Sequence, residues 1–165
     1  MWRYCPRCGR PIAVEGRHAV CSDCGFEEWG NAAPAVEALI VRDGRVLLTR
    51  RGIEPRRGLW DLPGGFLEED EEPHAALRRE LREETGLEIE PGEFLGTAIE
   101  RYDRYSVLIL SFAAAAPDGE AVPADDVAEL AWFAPEELPP PEAFAFRWHT
   151  ELLARWVGGS LRQAS

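Results

Sequence analysis

Residues 65–87 read GFLEEDEEPHAALRRELREETGL, eight acidic side chains against three arginines behind a glycine pair, Gly64-Gly65. The spacing predicts a helix from about Asp70 to Thr85. Pro73 is tolerated in a first turn, acids there suit the positive end of the helix dipole, and Gly86 before Leu87 is a stop signal. At about 3.6 residues per turn, Glu80, Glu83 and Glu84 share one patch. Leu77 and Leu81 flank it and should face a core, while Arg78 and Arg82 point to solvent. Arg79 lies four residues before Glu83, within reach of an ion pair. A solvated surface helix is one explanation. A cation site is the other, because three carboxylates so placed repel one another and divalent cations remove that cost. Carboxylate-rich sites prefer Mg²⁺ or Mn²⁺, which also bring phosphate oxygens and water together. The glycine pair lets backbone approach a phosphate or offer the Gly64 carbonyl to a metal. Glu68 and Glu71 lie close enough to add ligands.

The chain has 165 residues, 45% of them hydrophobic, enough for one ordinary domain with a small appendage. Its net charge is −12. That argues against nucleic acid held by bulk electrostatics, and it means a polyanionic substrate needs bridging cations. No apolar run is long enough to cross a bilayer. The start, MWRYCPRCGR, lacks an apolar signal region, which argues against export and for a cytoplasmic protein.

All four cysteines lie in the first 24 residues, as CPRCG at 5–9 and CSDCG at 21–25. Two C-x2-C pairs suit one tetrahedral Zn²⁺ held by Cys5, Cys8, Cys21 and Cys24. Two disulfides are the alternative, disfavoured because nothing indicates an oxidising compartment. Four cysteine ligands leave no open coordination position, so this zinc is structural and supplies folding energy to a unit too small to bury a core. The ribbon carries Arg3, Arg7, Arg10 and Arg17 against Glu15, Asp23, Glu27 and Glu28, a balanced set with no basic stripe. The turn formers in FEEWGNAAP, 26–34, place a boundary there. The expected organisation is a ribbon at 1–30, a larger unit at 34–158 and a tail at 159–165.

In the larger unit, 34–51 reads as a hairpin about Asp43-Gly44. GLWDLPGGF breaks at Pro63-Gly64-Gly65. Strands are expected at 93–100, 105–116 and 129–134, and a packing helix at 143–157 with Phe144, Trp148, Leu152 and Trp156 on its apolar side. This order predicts an α/β fold with a mixed sheet between helices.

Gly65, Glu71, Arg79, Glu80, Leu81, Glu83, Glu84, Gly86 and Leu87 fill every specified position of G-x5-E-x7-R-E-U-x-E-E-x-G-U, where U is apolar. Chance agreement is on the order of 10⁻¹⁰ per starting position. The stretch resembles a Nudix box, and the preceding RRGIEPRRGLWDLPGGFLE, the ribbon and ELAWFAPEELP resemble the zinc-ribbon branch of the Nudix hydrolases. The resemblance implies an α/β/α sandwich and metal-dependent hydrolysis of a nucleoside diphosphate linked to another moiety. It implies Glu80, Glu83 and Glu84, with the Gly64 carbonyl, as ligands of Mg²⁺ or Mn²⁺, and Arg79 as the residue that orients a carboxylate. The general base is a box glutamate or a later acid, with Glu129, Asp126 and Asp125 as candidates and Glu129 preferred. Arg50, Arg51, Arg56 and Arg57 are candidates for substrate phosphates, with Gly64 and Gly65 beside them. Trp60, Tyr102, Tyr105 and Trp132 are candidates to stack on a base. His18, His74 and His149 receive no role.

The NADH pyrophosphatase signature S-Q-P-W-P-F-P-x-S is absent from 88–116, and the proline typical of many ADP-ribose enzymes would fall at Asp103. A zinc-ribbon member without the NADH signature looks most like an ADP-ribose or FAD pyrophosphatase, releasing AMP. NADH or NAD, dinucleoside polyphosphates, NAD-capped RNA, and a non-catalytic nucleotide sensor are the alternatives. The resemblance also allows a homodimer, with a small nucleotide as the main partner.

Overall fold

In the computed structural model, residues 2–102 and 104–161 are described. Asp103 and the last four residues of the tail lie outside them. The first unit is a three-stranded antiparallel sheet, β1 (Ala13–Glu15), β2 (His18–Val20) and β3 (Glu27–Trp29), in the order β1-β2-β3. In front of and behind β1–β2 stand two matching turns. Gly9 N–H donates to the Cys5 carbonyl at 2.8 Å and Gly25 N–H to the Cys21 carbonyl at 3.0 Å. Both glycines sit in the left-handed region, φ 73° and 70°, where a side chain would be strained. The turns bring the four sulfurs within 4.8 Å of one another, with Cys5–Cys24 and Cys8–Cys21 each 3.6 Å apart. A disulfide needs about 2.05 Å. Sulfurs on a tetrahedral zinc, each about 2.3 Å from it, lie about 3.8 Å from one another. The cluster fits a zinc ribbon.

The larger unit begins with β4 (Ala33–Arg42) and β5 (Arg45–Arg51), turning at Asp43-Gly44. Then come β6 (Trp60–Asp61), β7 (Gly64–Phe66), α1 (Pro73–Thr85), β8 (Pro91–Tyr102), β9 (Tyr105–Ala115), β10 (Val127–Phe133) and α2 (Arg147–Val157). The sheet runs β10-β5-β4-β9-β8, with β6 added to β5 and β7 to β4. β4 and β9 are parallel and the other pairs antiparallel, so the sheet is mixed.

β4 lies at the centre, so both its faces must be apolar. Val36, Ala38 and Ile40 pack with Ala76, Leu77 and Leu81 of α1. On the other face Leu39 meets Leu152, Leu153 and Trp156 of α2. Leu77 and Leu81 are fully buried, each stabilising the fold by about 1.5–3 kcal/mol. This is the expected sandwich of helices about a mixed sheet.

Two helix boundaries differ from expectation. α1 starts at Pro73, because Asp70 takes φ 63° and cannot continue a right-handed helix. The acids of 68–72 therefore precede the helix, and its first turn holds none. α2 starts at Arg147, because 143–146 is drawn to the sheet: Ala145 N–H donates to the Trp60 carbonyl at 2.8 Å and Phe144 bridges Trp60. PEE at 135–137 forms a single 3-10 turn. Among the described residues no helix is long and apolar enough to cross a membrane.

One zinc per chain is expected by elemental analysis. A strong chelator should remove it and lower the melting temperature, and Cys24→Ser should do the same; a fully stable, zinc-free protein would overturn the assignment.

Candidate active site

The glycine pair and α1 build the centre of the site together. β7 pairs with β4 in the register Val36↔Gly65 and Glu37↔Gly64. A Cβ on Gly64, whose φ is 150°, would run into the Val36 carbonyl and the Glu37 backbone, and one on Gly65 would run into the Glu80 carboxylate. Glycine is therefore required so that Glu80 can lie flat on the loop. Glu84, one helical turn on, is 5% exposed, and its Oε2 accepts the Gly64 N–H at 2.8 Å.

Arg79 organises the rest. Its Nε and Nη2 donate to Glu71 at 3.0 and 2.7 Å, and its Nη2 also to the Phe66 carbonyl at 3.0 Å. Its Nη1 reaches Glu80 at 2.8 Å and Glu83 at 3.2 Å. Hydrogen bonding to Glu71 leads the causes that hold this guanidinium charged. Glu71 spends both oxygens on the arginine, while Glu68 only offers it a backbone N–H at 3.1 Å.

The electrostatics of the carboxylates are strained. Burial drives Glu84 well above the usual carboxylate range; the Gly64 N–H opposes this, and the charges of Asp126, Asp61 and Glu80 add to it. Burial also raises Glu80, against the pull of Arg79 and with the push of Glu83 and Asp126. Acids crowded and desolvated this way suit a bound cation. Glu80 and Glu83 hold to Arg79 while Glu84 turns to Gly64, so the three are spread along the helix rather than gathered on one point. Such spacing suits Mg²⁺, which completes its shell with water and phosphate oxygens.

A small polar cavity opens beside Glu84, lined by Thr49, Arg51, Asp61, Gly64 and Asp126. Asp126 is raised by burial first and by Asp125 second. Glu129 is not among the residues lining this cavity. It pairs in register with Arg50, whose Nη1 donates to it at 3.0 Å. The arginine island divides as well. Arg51 lines the cavity and donates to Asp61 at 2.6 Å and to the Pro55 carbonyl at 2.9 Å. Arg50 also holds the Gly58 carbonyl at 2.9 Å, and Arg56 ties down the Ala145 carbonyl and lies over Phe146. Arg57 is exposed. Of the aromatics, Trp60 and Trp132 pack against the two cores. Tyr102 lines a second cavity of about 40 Å³ beside Gly64, Gly65 and Phe66, stacked on Phe146 at 5.2 Å.

The floor of that second cavity was not expected from the sequence. His149, fully buried on α2, sits between two buried acids, Glu37 and Asp61. Its Nε2 lies 2.8 Å from Glu37 Oε2, and its Nδ1 lies 3.2 Å from Asp61 Oδ1, an ion-pair contact outside hydrogen-bond geometry. Glu37 also accepts the Ser111 hydroxyl at 2.7 Å, and that oxygen accepts the Trp148 indole N–H at 2.7 Å. Burial works against a charged imidazole here, but Glu37 first and then Asp61 outweigh it and lift the His149 pKa to about 9. The imidazolium thus supplies the countercharge that lets Asp61 hold Arg51 at the cavity. A signal was present: one glutamate inside the apolar run AVEALIV, one aspartate in LWDLP, and one histidine in the apolar stripe of α2.

The linkage has a definite sign. A folded-state pKa of about 9 against the ordinary 6.5 means that the network's contribution is complete below about pH 6.5 and is lost as pH rises through 9. Denaturant unfolding of the wild type and His149→Gln should converge as pH climbs through that window; parallel pH profiles would contradict the charged histidine. His149→Phe leaves the buried Glu37 carboxylate without its charged partner and should cost on the order of 3–5 kcal/mol.

Residues 32–156 match the model of the NUDIX domain. The chain is 34% identical over 143 residues to the NAD-capped RNA hydrolase NudC of Pseudomonas fluorescens, covering 84% of this chain and 50% of that protein. It is 32% identical over 164 residues to the protein of the same name from Stutzerimonas stutzeri, covering 94% and 58%. It thus spans about half the length of these curated relatives. Among solved structures, a NUDIX hydrolase from Nitrosomonas europaea superposes with a TM-score of 0.83 at 26% identity, covering 99% of this chain and 96% of that one. A domain match over residues 32–156, which takes in the loop and helix that hold Glu80 and Glu84 against the glycine pair, makes this protein a member of the NUDIX domain family.

Proposed function

We propose that the chain hydrolyses the pyrophosphate bond of a nucleoside diphosphate linked to a second group. The observation that carries this reading is the pair of desolvated acids Glu80 and Glu84 set against the Gly64-Gly65 backbone, with exposed Glu83 beside them on Arg79 and a polar cavity next to Glu84. Nudix hydrolases generally use Mg²⁺ or Mn²⁺, and the three glutamates, with the Gly64 carbonyl, are the residues to hold them. Bound there, the cations neutralise phosphate charge and make water a better nucleophile.

The chain's own residues do the remaining work. Arg79 keeps Glu80 and Glu83 oriented, and Glu71 fixes Arg79 in turn. Arg51, anchored by Asp61, presents positive charge at the cavity. Asp126, raised and facing the same space as Glu84, accepts the proton of the attacking water; its position favours it over Glu129. The water oxygen bonds to phosphorus, the bond to the bridging oxygen breaks, and two phosphomonoesters leave. Positioning and charge neutralisation account for most of the rate in such transfers.

For the second group, the sequence favours ADP-ribose or FAD. A second reading, an NAD-type dinucleotide either free or as an RNA cap, is favoured by the names of the relatives and by the ring wall of Tyr102, Phe146 and Phe66 along the cavity. The zinc, in either case, is structural.

Hydrolysis of ADP-ribose, FAD, NAD, NADH and dinucleoside polyphosphates with Mg²⁺ and then Mn²⁺, with products resolved by chromatography, tests the reading. One substrate should release a mononucleotide far faster than the rest. Glu83→Gln should lower kcat by more than the roughly 10- to 100-fold typical of losing a partner behind a metal ligand. Asp126→Asn should remove the acidic limb of the pH–rate profile, while Glu129→Gln should keep it. No turnover with any substrate but tight binding of one would make the protein a sensor.

A further inference from the structure

Between the ribbon and the larger unit runs an open groove of about 780 Å³. Trp2, Arg17 and Trp29 line it from the ribbon side, and Arg101, Arg104 and Tyr105 from the β8–β9 hairpin. Its size falls in the range of about 300–1,000 Å³ typical of ligand sites. It also lies on a protein whose charge is −12, yet gathers three arginines from two separate units. Among the described residues none of the three takes part in an ion pair. The acid in the groove, Glu28, is engaged by the Trp2 indole N–H.

The aromatic side chains are exposed where burial would be favourable: Trp29 by 59%, Trp2 by 46% and Tyr105 by 44%. Trp29 is nonetheless held firmly, with His18 stacked on it at 3.9 Å and 9°. Rigid exposed rings interleaved with arginines make the surface chemistry of single-strand binding, in which rings stack on bases and guanidinium groups meet phosphates.

Ring contacts link the groove to the second cavity, the one lined by Gly64, Gly65 and His149. Tyr105 stacks on Tyr102 at 5.6 Å and 29°, and Tyr102 stacks on Phe146 inside that cavity. Phe66, next to Gly65, touches both tyrosines at 6.0 and 6.4 Å. One wall of rings therefore leads from the Nudix loop to the ribbon.

We infer that this groove holds the first nucleotides of a single-stranded RNA whose 5′ end reaches the Nudix loop along this wall of rings. Trp29 and Tyr105 stack on its bases, and Arg17, Arg101 and Arg104 meet its phosphates. The inference rests on the hydrolase reading given above. The ribbon brings Arg17 and Glu28 to the groove, and the excess positive charge comes from Arg101 and Arg104 of the larger unit. The bulk charge of −12 still opposes a long polyanion, so the strand is held locally and by its 5′ end.

The test compares free NAD with the same dinucleotide as the cap of a short unstructured RNA, using the full chain and Mg²⁺ or Mn²⁺. It is run on the wild type, on Arg17→Ala/Arg104→Ala and on Trp29→Ala, each checked for unchanged zinc content. Fluorescence anisotropy of a 5′-phosphorylated RNA, read against salt, runs beside it. In the wild type the RNA should raise kcat/KM over that of free NAD, and RNA binding should fall with salt with a slope of about −2, as three phosphate contacts to a single strand predict. Each variant should lower the capped-to-free ratio, Trp29→Ala by roughly tenfold, the scale of one lost stacking contact. The double arginine variant should flatten the salt slope by about 1.4. A ratio and slope that the variants leave unmoved would overturn the groove while leaving the hydrolase reading intact. Hydrolysis of neither substrate would sink the NAD reading instead, and the anisotropy series would still decide whether the groove binds RNA.

Discussion

A carboxylate as deeply buried as that of Glu84 persists only if something charged or hydrogen-bonded meets it, and the backbone N–H of Gly64 does so at 2.8 Å. That contact sets the height of the loop above α1. It needs β7 pressed against β4 so closely that no side chain fits at Gly64, and it needs the face of Gly65 left bare for Glu80. The central strand, the glycine pair and the helix are thereby locked into one arrangement. The carboxylates are held near one another at a cost that a bound cation would offset.

Two countercharges complete the construction from opposite sides of the sheet. On the α1 side Arg79 gathers Glu71, Glu80 and Glu83 with one planar fork, a geometry that a lysine could not reproduce. On the α2 side His149 lies between Glu37 and Asp61, and Asp61 passes that order to Arg51. Removing His149 would leave the buried Glu37 without its charged partner, and removing Arg79 would release three crowded acids at the Nudix loop. The aromatic side chains follow the same division. Trp60 and Trp132 serve the cores, while Phe66, Tyr102 and Tyr105 form a wall that leaves the site toward the ribbon.

Much of this was legible in the order of residues. Helical spacing alone placed Leu77 and Leu81 in the core, because a helix fixes angles between side chains a few positions apart; it put Glu80, Glu83 and Glu84 on one side, but not their separate partners, Arg79 and the Gly64 N–H. Asp43-Gly44 marked the hairpin, and two C-x2-C turns marked the sulfur cluster, for the same reason: each is a local geometry encoded within a few residues. The start of α1 was misplaced by three residues because the left-handed backbone at Asp70 is not encoded in composition, and the start of α2 because Phe144 and Ala145 answer to Trp60, far away in the chain.

What the sequence by itself determined, then, was the Nudix loop and helix, the mixed α/β sandwich and the four-sulfur ribbon, all of them short-range patterns or periodicities. Only the tertiary structure decided that Asp126 rather than Glu129 faces Glu84, that Arg51 alone of its island reaches both cavities, and that Glu37, Asp61 and His149 meet. The first of these residues stands on a central strand, the second on a short strand beside the loop and the third on the last helix. Their partnership spans up to 112 positions of chain. It exists because a buried charge is stable only beside its opposite, and which opposite arrives is settled by packing across the whole sheet.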